Sequence, residues 1–405
     1  AGVYVNPSGT LIMEGSSVIT DCSAANSGGG VYVGGGTFEM HGTSAITGCT
    51  ASKGGGVYVS GGTFKMQDSA IVTPSTGSEQ YTAGKNDVYL ESGKRITVDS
   101  TLTGTTPVAR ITVPNTAYNT STQVLADAIT TGSPQNYTKF TVTPQDVVDG
   151  KMFWYITAAG TLKAEVEDLQ TLKEAVQAAP ADNTPFIIKL GDIDDLTKVE
   201  IPSNKKIMLK ADREVTLKCL SKSNDYKHFH VQNNASLTLE GQITLQGTDY
   251  GSSSQYALYV ARLGKAEIKD GVTITGFKNA DRGTVFVDGE LTMTGGTITG
   301  NKANKGGVYV DANGMYNIYG IFTMTGGNIE GNTADTSGGE VYIVGTFTMS
   351  GGIITKNKAN IEGKAVMLEH DFWWNSGEIK DNEGSVSAVG GSSYYFHNGS
   401  GNTAS

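Results

Sequence analysis

The chain has 405 residues, of which 54 are glycine and 9 are proline, and its formal net charge is −10. This charge argues against nucleic acid as a partner, because proteins that bind phosphate backbones present basic faces. No apolar stretch reaches the length of about 18 residues that a membrane-spanning helix needs, so we expect no membrane insertion.

The first 99 residues repeat three short phrases. Residues 28–33 read Gly-Gly-Gly-Val-Tyr-Val and recur at 54–59, and the phrase Phe38-Glu39-Met40 recurs at 64–66. A third phrase, at 19–22 and 46–49, ends in cysteine. Apolar residues alternate within each phrase, which predicts strands, and the Gly, Ser and Asn residues between them predict turns. Three strands per repeat indicate a right-handed parallel β-helix over residues 1–99.

The middle of the chain loses these phrases. Residues 100–165 predict a small β-rich module that covers or continues the end of the first solenoid segment. Residues 166–180 predict a capping helix, with Asp168 as N-cap and Pro180 as its stop. The apolar residues expected to share one face of this helix are Val166, Leu169, Leu172, Val176 and Ala179.

The phrases return in residues 184–405, which predict a second β-helix segment. In this register Val308 and Val310 point inward and Tyr309 points outward, and Phe322 and Met324 point inward. The third phrase now ends in asparagine and predicts a ladder of stacked side-chain amides. Its members are Asn301, Asn332, Asn357, Asn382 and Asn402. The predicted fold class is therefore all-β, a right-handed parallel β-helix in two segments.

The two ends of the chain complete one repeat when they are placed tail to head. The residues that form this phrase are Asn402, Thr403, Ala404, Ser405, Ala1, Gly2, Val3, Tyr4 and Val5. Because the repeat period continues across this junction, we expect an assembly interface between copies of the chain, whether they are joined covalently or stack non-covalently.

The three phrases resemble the repeats of bacterial surface proteins with right-handed parallel β-helices and, more loosely, those of polymorphic outer-membrane proteins. The resemblance implies an extracellular or cell-surface location and a structural or adhesive role, without a defined chemistry. We therefore expect a structural subunit of a filament or array, assembled head to tail. The alternatives are a glycan-binding adhesin and a polysaccharide lyase or hydrolase.

Stacked repeats turn equivalent residues into columns. The outward aromatic column contains Tyr4, Tyr32, Tyr58, Tyr89, Tyr259, Phe286, Tyr309 and Tyr342. One interpretation is that neighbouring rings stabilise the sheet. The other is an exposed aromatic stripe that binds a glycan or a neighbouring filament.

Cys22 and Cys49 fall in the same column of adjacent repeats, with an expected Cα separation of about 5 Å that a disulfide can span. The alternatives are a bridge and two stacked, reduced thiols. Cys219 has the character of a buried small apolar residue.

The acidic residues Asp192, Asp194 and Asp195 are the candidates for a calcium site, and a solvated turn is the other interpretation. His228 and His230 share one face of a strand, but two histidines alone are a weak zinc signal. No Ser–His–Asp set, phosphate loop or metalloprotease motif occurs. The sequence therefore predicts no catalytic residue, no enzyme activity and no cofactor.

Overall fold

The computed structural model describes residues 1–219, 225–248, 254–278, 281–313, 318–335, 341–359, 366–383, 387–388 and 396–398. The chain forms two compact units, Ala1–Glu165 and Val166–Ser405. They contain about 13 turns of a parallel β-solenoid, which confirms the predicted all-β class.

The first face of the coils in the first unit is a parallel sheet built on the Val-Tyr-Val phrase. Equivalent residues stack directly, so that Val3 faces Val31 and Tyr4 faces Tyr32. In stacking order, its strands are Val3–Val5, Val31–Val33, Val57–Val59, Val88–Leu90, Ala109–Thr112 and Phe140–Val142.

The second and third faces of these coils are also parallel. The second face consists of Thr10–Met13, Thr37–Met40, Thr63–Asp68, Ile96–Leu102 and Leu125–Asp127. The third consists of Val18–Thr20, Ala45–Thr47 and Ile71–Val72. Alternate residues point into the coil, where Phe38 and Phe64 stack with ring centroids 4.9 Å apart.

The coils continue beyond residue 99, the predicted end of the first segment, which lies inside the strand Ile96–Leu102. Val88 pairs with Ile111, and Ile111 pairs with Val142, although no phrase is repeated there. Between the two alternatives for residues 100–165, the structure therefore shows continuation of the solenoid as far as residue 142. Ile111 and Val142 both lie in the hydrophobic core, and buried inward residues are what a coil requires.

Shorter elements complete the first unit. Two antiparallel pairs follow the last coil, Gln145–Val147 with Gly150–Met152 and Tyr155–Ile156 with Leu162–Lys163. The strand Glu165–Val166 lies at the boundary of the units. The 3-10 helices are Gly77–Tyr81, Asn115–Ala117 and Asn136–Lys139.

The predicted helix is confirmed as Leu169–Ala178. The Asp168 side chain accepts a hydrogen bond from the Thr171 amide at 2.8 Å, as an N-cap does. At the other end, the buried Lys205 ammonium donates to the carbonyls of Gln177 and Ala179, which lack partners within the helix.

The second unit repeats the first face as an eight-stranded parallel sheet. Val308 and Val310 are buried inside the coil, as predicted, and Tyr309 lies on the opposite side of the sheet. Its strands are Val199–Ile201, Asp225–Val231, Ser254–Val260, Val285–Val287, Val308–Val310, Val341–Ile343, Val366–Leu368 and Ser387–Ala388.

The second and third faces of this unit merge where long strands run across both. They comprise Pro185–Leu190, Lys206–Lys218, Ser236–Gln246, Lys265–Ile268, Thr273–Thr275, Glu290–Met293, Thr297–Thr299, Ile321–Met324, Asn328–Glu330, Thr346–Thr355, Phe372–Lys380 and Phe396–Asn398. Inside the coil, Phe347 stacks on Phe322 and on Phe372, at 4.7 Å in both cases.

A fourth short strand, which the sequence reasoning missed, occurs in some coils of the second unit. Lys302–Ala303, Thr333–Ala334 and Lys358–Ala359 stack in parallel, and their alanines are buried. The recurring Asn-Lys-Ala at 301–303 and 357–359 was its sequence signal. An antiparallel pair, Ala312–Asn313 and Ile318–Tyr319, completes the elements.

Candidate functional site

The aromatic column is continuous within each unit. In the first unit Tyr4 stacks on Tyr32 with centroids 4.9 Å apart, and Tyr32 and Tyr58 are also 4.9 Å apart. In the second unit Tyr309 stacks on Phe286 at 5.5 Å and on Tyr342 at 5.4 Å. These contacts fit the interpretation in which ring pairs stabilise the sheet.

Most of the column is covered rather than exposed. Tyr309 is only 4% exposed, because the Arg282 guanidinium and the Lys305 ammonium lie over its ring at 5.2 and 5.3 Å. Its hydroxyl donates to Asp311, and burial raises the pKa of Tyr309 above its usual value. The exposed-stripe interpretation is therefore wrong for the buried rings of the column, and cations from segments between the phrases lie over most of these rings. The buried rings are Tyr58, Tyr89, Phe286, Tyr309 and Tyr342.

The amide ladder forms a buried corner of the second unit, which we call the Asn corner. The Asn332 side-chain oxygen accepts from the Asn301 backbone N–H at 3.1 Å, and the Asn332 amide donates to Ile298 O at 2.9 Å. Asn357 and Asn382 repeat this arrangement one coil further each time. The predicted ladder is confirmed for these residues, and Asn402 lies outside the described residues.

A left-handed residue precedes each of the four asparagines of this corner that the structure describes. Gly300, Gly331, Lys356 and Asp381 have φ values of 64°, 63°, 55° and 54°. Glycine adopts this conformation readily, whereas it strains lysine and aspartate. The turn geometry is thus the same in each coil, whichever residue occupies it.

The equivalent corner of the first unit contains Cys22 and Cys49, and Asn86 follows in the next coil. The Asn86 side chain accepts from the Cys49 N–H at 3.0 Å and donates to Ile46 O at 2.9 Å. Each cysteine again follows a left-handed residue, Asp21 at 52° and Gly48 at 66°. We call this the Cys corner, defined by Cys22 and Cys49.

The structure contains free thiols at Cys22, Cys49 and Cys219, so the disulfide between Cys22 and Cys49 is not formed here. Each thiol of the Cys corner instead donates to a carbonyl two residues upstream, at Thr20 and at Thr47, at 3.4 Å in both coils. Cys219 is buried, as predicted.

The first coil has an open edge. Its three strands, Val3–Val5, Thr10–Met13 and Val18–Thr20, are each the terminal strand of a sheet within the described part of the chain. Tyr4 and Val18 are each 56% exposed and Ile12 is 48% exposed. Of the predicted assembly residues, Ala1, Gly2, Val3, Tyr4 and Val5 lie on or beside this edge, whereas Asn402, Thr403, Ala404 and Ser405 fall outside the described residues.

The calcium candidates make ion pairs instead of converging on one point. Asp192 accepts from the Thr216 N–H at 2.7 Å and from Arg213 at 3.1 Å, and these contacts lower the pKa of its carboxyl group. Asp194 lies 3.6 Å from Lys218. Among the described residues, no three histidine, cysteine, aspartate or glutamate side chains, Asp195 included, form a group that could hold a metal.

The two histidines have separate structural roles. His228 is fully buried beside Leu217 O, and burial lowers its pKa to about 3. His230 packs edge-on against Tyr259 at 4.9 Å and lies 3.9 Å from Glu200. They do not share a metal-binding arrangement.

The outer surface of the second face changes along the second unit. Its early coils carry ion pairs such as Lys210–Glu240 and Lys265–Glu290. Its later coils carry a neutral column in which Trp373, 41% exposed, lies in register with Thr348. The column continues through Thr323 and Thr292.

The fold and these columns define a parallel β-solenoid. Comparison of the chain with protein-family models, with curated proteins and with solved structures gives no match. No helix in the described ranges is long and apolar enough to cross a membrane.

Proposed function

We propose that the chain is a structural building block of an extracellular or cell-surface filament or array, in which coils stack from one copy to the next. The observation that carries this proposal is that each strand of the first coil has a neighbouring strand on only one side within the described residues. An edge strand is a template for a further strand unless charge, proline or a covering segment protects it. The three edge strands contain no charged residue and no proline.

The backbone at this edge is ready to pair. Val3 donates to Gly30 O and Val5 accepts from Gly34 N, both at 2.9 Å, and these bonds are directed at the second coil. Because the backbone groups of successive residues in a strand point to opposite sides, the N–H and C=O of Tyr4 point away from the second coil. A coil with the same phrase would continue both the backbone ladder and the aromatic column, in which interior rings such as Tyr309 are buried.

The test combines electron microscopy and sedimentation of the purified chain with two variants at one position. Tyr4→Pro removes the N–H on the open side, and proline is tolerated on edge strands, so this variant should fold but not assemble. Tyr4→Phe keeps the N–H and the ring, and it should assemble as the unchanged chain does. Circular dichroism checks that both variants fold.

Rods with a regular axial repeat that vanish only in Tyr4→Pro would support the proposal. Monodisperse single particles of the unchanged chain at every concentration would contradict stacking between copies. Rods that persist in Tyr4→Pro would show that copies associate through another surface.

A second candidate, a glycan-binding adhesin, is favoured by the neutral column that contains Trp373 rather than by the aromatic column. An exposed indole beside the Thr348 hydroxyl suits an uncharged sugar ring, which stacks on an aromatic face and hydrogen-bonds at its rim. Retention on insoluble polysaccharide that Trp373→Ala abolishes would favour this function. Release of new reducing ends would instead indicate a polysaccharide lyase or hydrolase.

A further inference from the structure

The Cys corner places two thiols at facing positions of adjacent coils. The register is unbroken on both sides of the pair, because Thr20 faces Thr47 and Ser23 faces Thr50. Parallel neighbours of this kind have Cα atoms about 4.8 Å apart, within the range of about 4.4–6.8 Å that disulfides span.

The two side chains are also oriented alike. Both thiols donate to the equivalent carbonyl two residues upstream. A Cβ atom on Gly2 would approach the Cys22 Sγ to 2.8 Å, and one on Gly30 would approach the Cys49 Sγ to 3.3 Å. Each sulfur thus lies beneath an equivalent glycine, and the two stack directly along the solenoid.

The thiols differ in access to solvent. Cys49 is fully buried, and burial is the main cause that raises the pKa of its thiol. Cys22, in the edge coil, is partly exposed. An external reagent therefore reaches Cys22 first, and Cys49 is reached only through Cys22.

We propose that Cys22 and Cys49 form a redox-sensitive cross-link between the first two coils, which a low-molecular-weight disulfide such as oxidised glutathione closes. The Cys22 thiolate attacks the reagent and forms a mixed disulfide while one glutathione thiolate leaves. The Cys49 thiolate then attacks the Cys22 sulfur, and the second glutathione leaves. The two protein thiols lose two protons and two electrons. Oxidised glutathione gains them and becomes two glutathione thiols.

The cross-link closes a loop that joins the edge coil to its neighbour. It would restrict the opening of the strand Val18–Thr20, which adjoins Cys22 and otherwise has a neighbouring coil on only one side within the described residues. This inference stands apart from the proposed filament, because it concerns the stability of one copy and does not require assembly.

The experiment treats the whole chain with oxidised glutathione and then alkylates it under denaturing conditions for mass spectrometry. The reduced chain should take up label at all three cysteines, and the oxidised chain at Cys219 alone, with a peptide pair linked through Cys22 and Cys49. Dithiothreitol should restore full labelling. Amide hydrogen exchange at Asp21, whose N–H donates to Thr47 O beside the cross-link, should slow by about tenfold or more on oxidation.

Cys49→Ser is the matched control, because it should stop at a stable mixed disulfide on Cys22. Cys219→Ser, in the other unit, should leave the cross-link unchanged. A persistent mixed disulfide on the unchanged chain, disulfide-linked dimers through Cys22, or full labelling after oxidation would each overturn the proposal.

Discussion

The same corner of the coil is built in two ways in the two units. In the second unit it carries stacked asparagines, each of which satisfies the N–H of the preceding asparagine and a further carbonyl. In the first unit it begins with two cysteines, and an asparagine, Asn86, enters only in the next coil. The residue before the corner is left-handed in both, so the backbone geometry is shared.

Some features of this corner are common to both units, and others differ between them. The coil keeps a left-handed residue at this turn, whereas the corner side chain ranges from cysteine and asparagine to the buried Phe277, which follows Gly276 at 73°. The coil tolerates the loss of the amide ladder where cysteine replaces asparagine. The N–H of Cys49 is still satisfied, because it donates to the side-chain oxygen of Asn86 in the next coil. The amide ladder therefore adds stability to a turn that backbone geometry already defines.

The largest effect at neutral pH is expected when the ladder is interrupted at its centre. Asn332→Ala removes the acceptor of the Asn301 N–H and the donor to Ile298 O, and both groups are buried. Buried groups left without partners each cost about 1–3 kcal/mol, so the free energy of unfolding should fall by about 3 kcal/mol. Chemical denaturation followed by tryptophan fluorescence in a Trp154→Phe background reports the second unit through Trp373 and Trp374.

Asn328→Ala is the control for this prediction. Asn328 lies in the same coil and is partly exposed on a strand. Its replacement should change the free energy of unfolding by less than about 0.5 kcal/mol. Equal losses in the two variants would show that the ladder makes no special contribution.

Much of this arrangement follows from sequence periodicity. Repeated apolar positions such as Phe322 and Met324 identify the inward side, and the recurrence of Asn332 and Asn357 identifies the ladder. The burial of Tyr309 could not be inferred in this way, because Arg282 and Lys305 lie outside the phrases. The continuation of the coils through Ile111 and Val142 was equally hard to infer, since a coil needs buried inward residues but no repeated phrase.

A second difference between the units is a buried histidine. The pKa of His228 falls from its usual value of about 6.5 to about 3, because burial disfavours its charged form. The unfolded chain therefore binds a proton below pH 6.5 that the folded chain binds only near pH 3. The contribution of His228 to the free energy of unfolding is therefore complete above pH 6.5. It falls by about 1.4 kcal/mol for each pH unit between pH 6.5 and about pH 3.

Denaturation of the second unit between pH 7 and pH 4 tests this prediction. His228→Leu should remove part of the loss of stability at acid pH, whereas His41→Leu, on the surface of the first unit, should not affect it. An unchanged pH dependence in His228→Leu would show that other groups, such as the carboxylates, account for the whole acid effect.

Converting the Cys corner towards an Asn corner should give a smaller, stabilising effect. In Cys49→Asn the new amide would lie near Ile19 O, which is 4.0 Å from the Cys49 sulfur, and could accept from the N–H of Cys22. Net gains of about 0.5–1.5 kcal/mol per hydrogen bond are expected. Trp154 fluorescence, with Trp373 and Trp374 replaced by phenylalanine, measures the first unit.

The control for this conversion uses the other cysteine. Within the described residues no coil precedes the one that contains Cys22, so Cys22→Asn should gain no equivalent hydrogen bond. Similar stabilisation of both variants would mean that asparagine acts through the turn itself and not through the neighbouring coil.

The smallest expected effect concerns the left-handed residue that both corners share. Lys356 has a φ of 55°, a conformation that costs an L-residue about 1–2 kcal/mol, whereas the preceding coils have Gly300 and Gly331 at this position. Lys356→Gly relieves this strain but loses about 0.5–1 kcal/mol to the greater freedom of the unfolded chain. We expect a net stabilisation of about 0.5 kcal/mol in thermal or chemical denaturation. The control is Lys358→Gly, two residues later on a strand, which has no strain to relieve and should destabilise the unit. A loss of stability in both variants would contradict the role assigned to the turn.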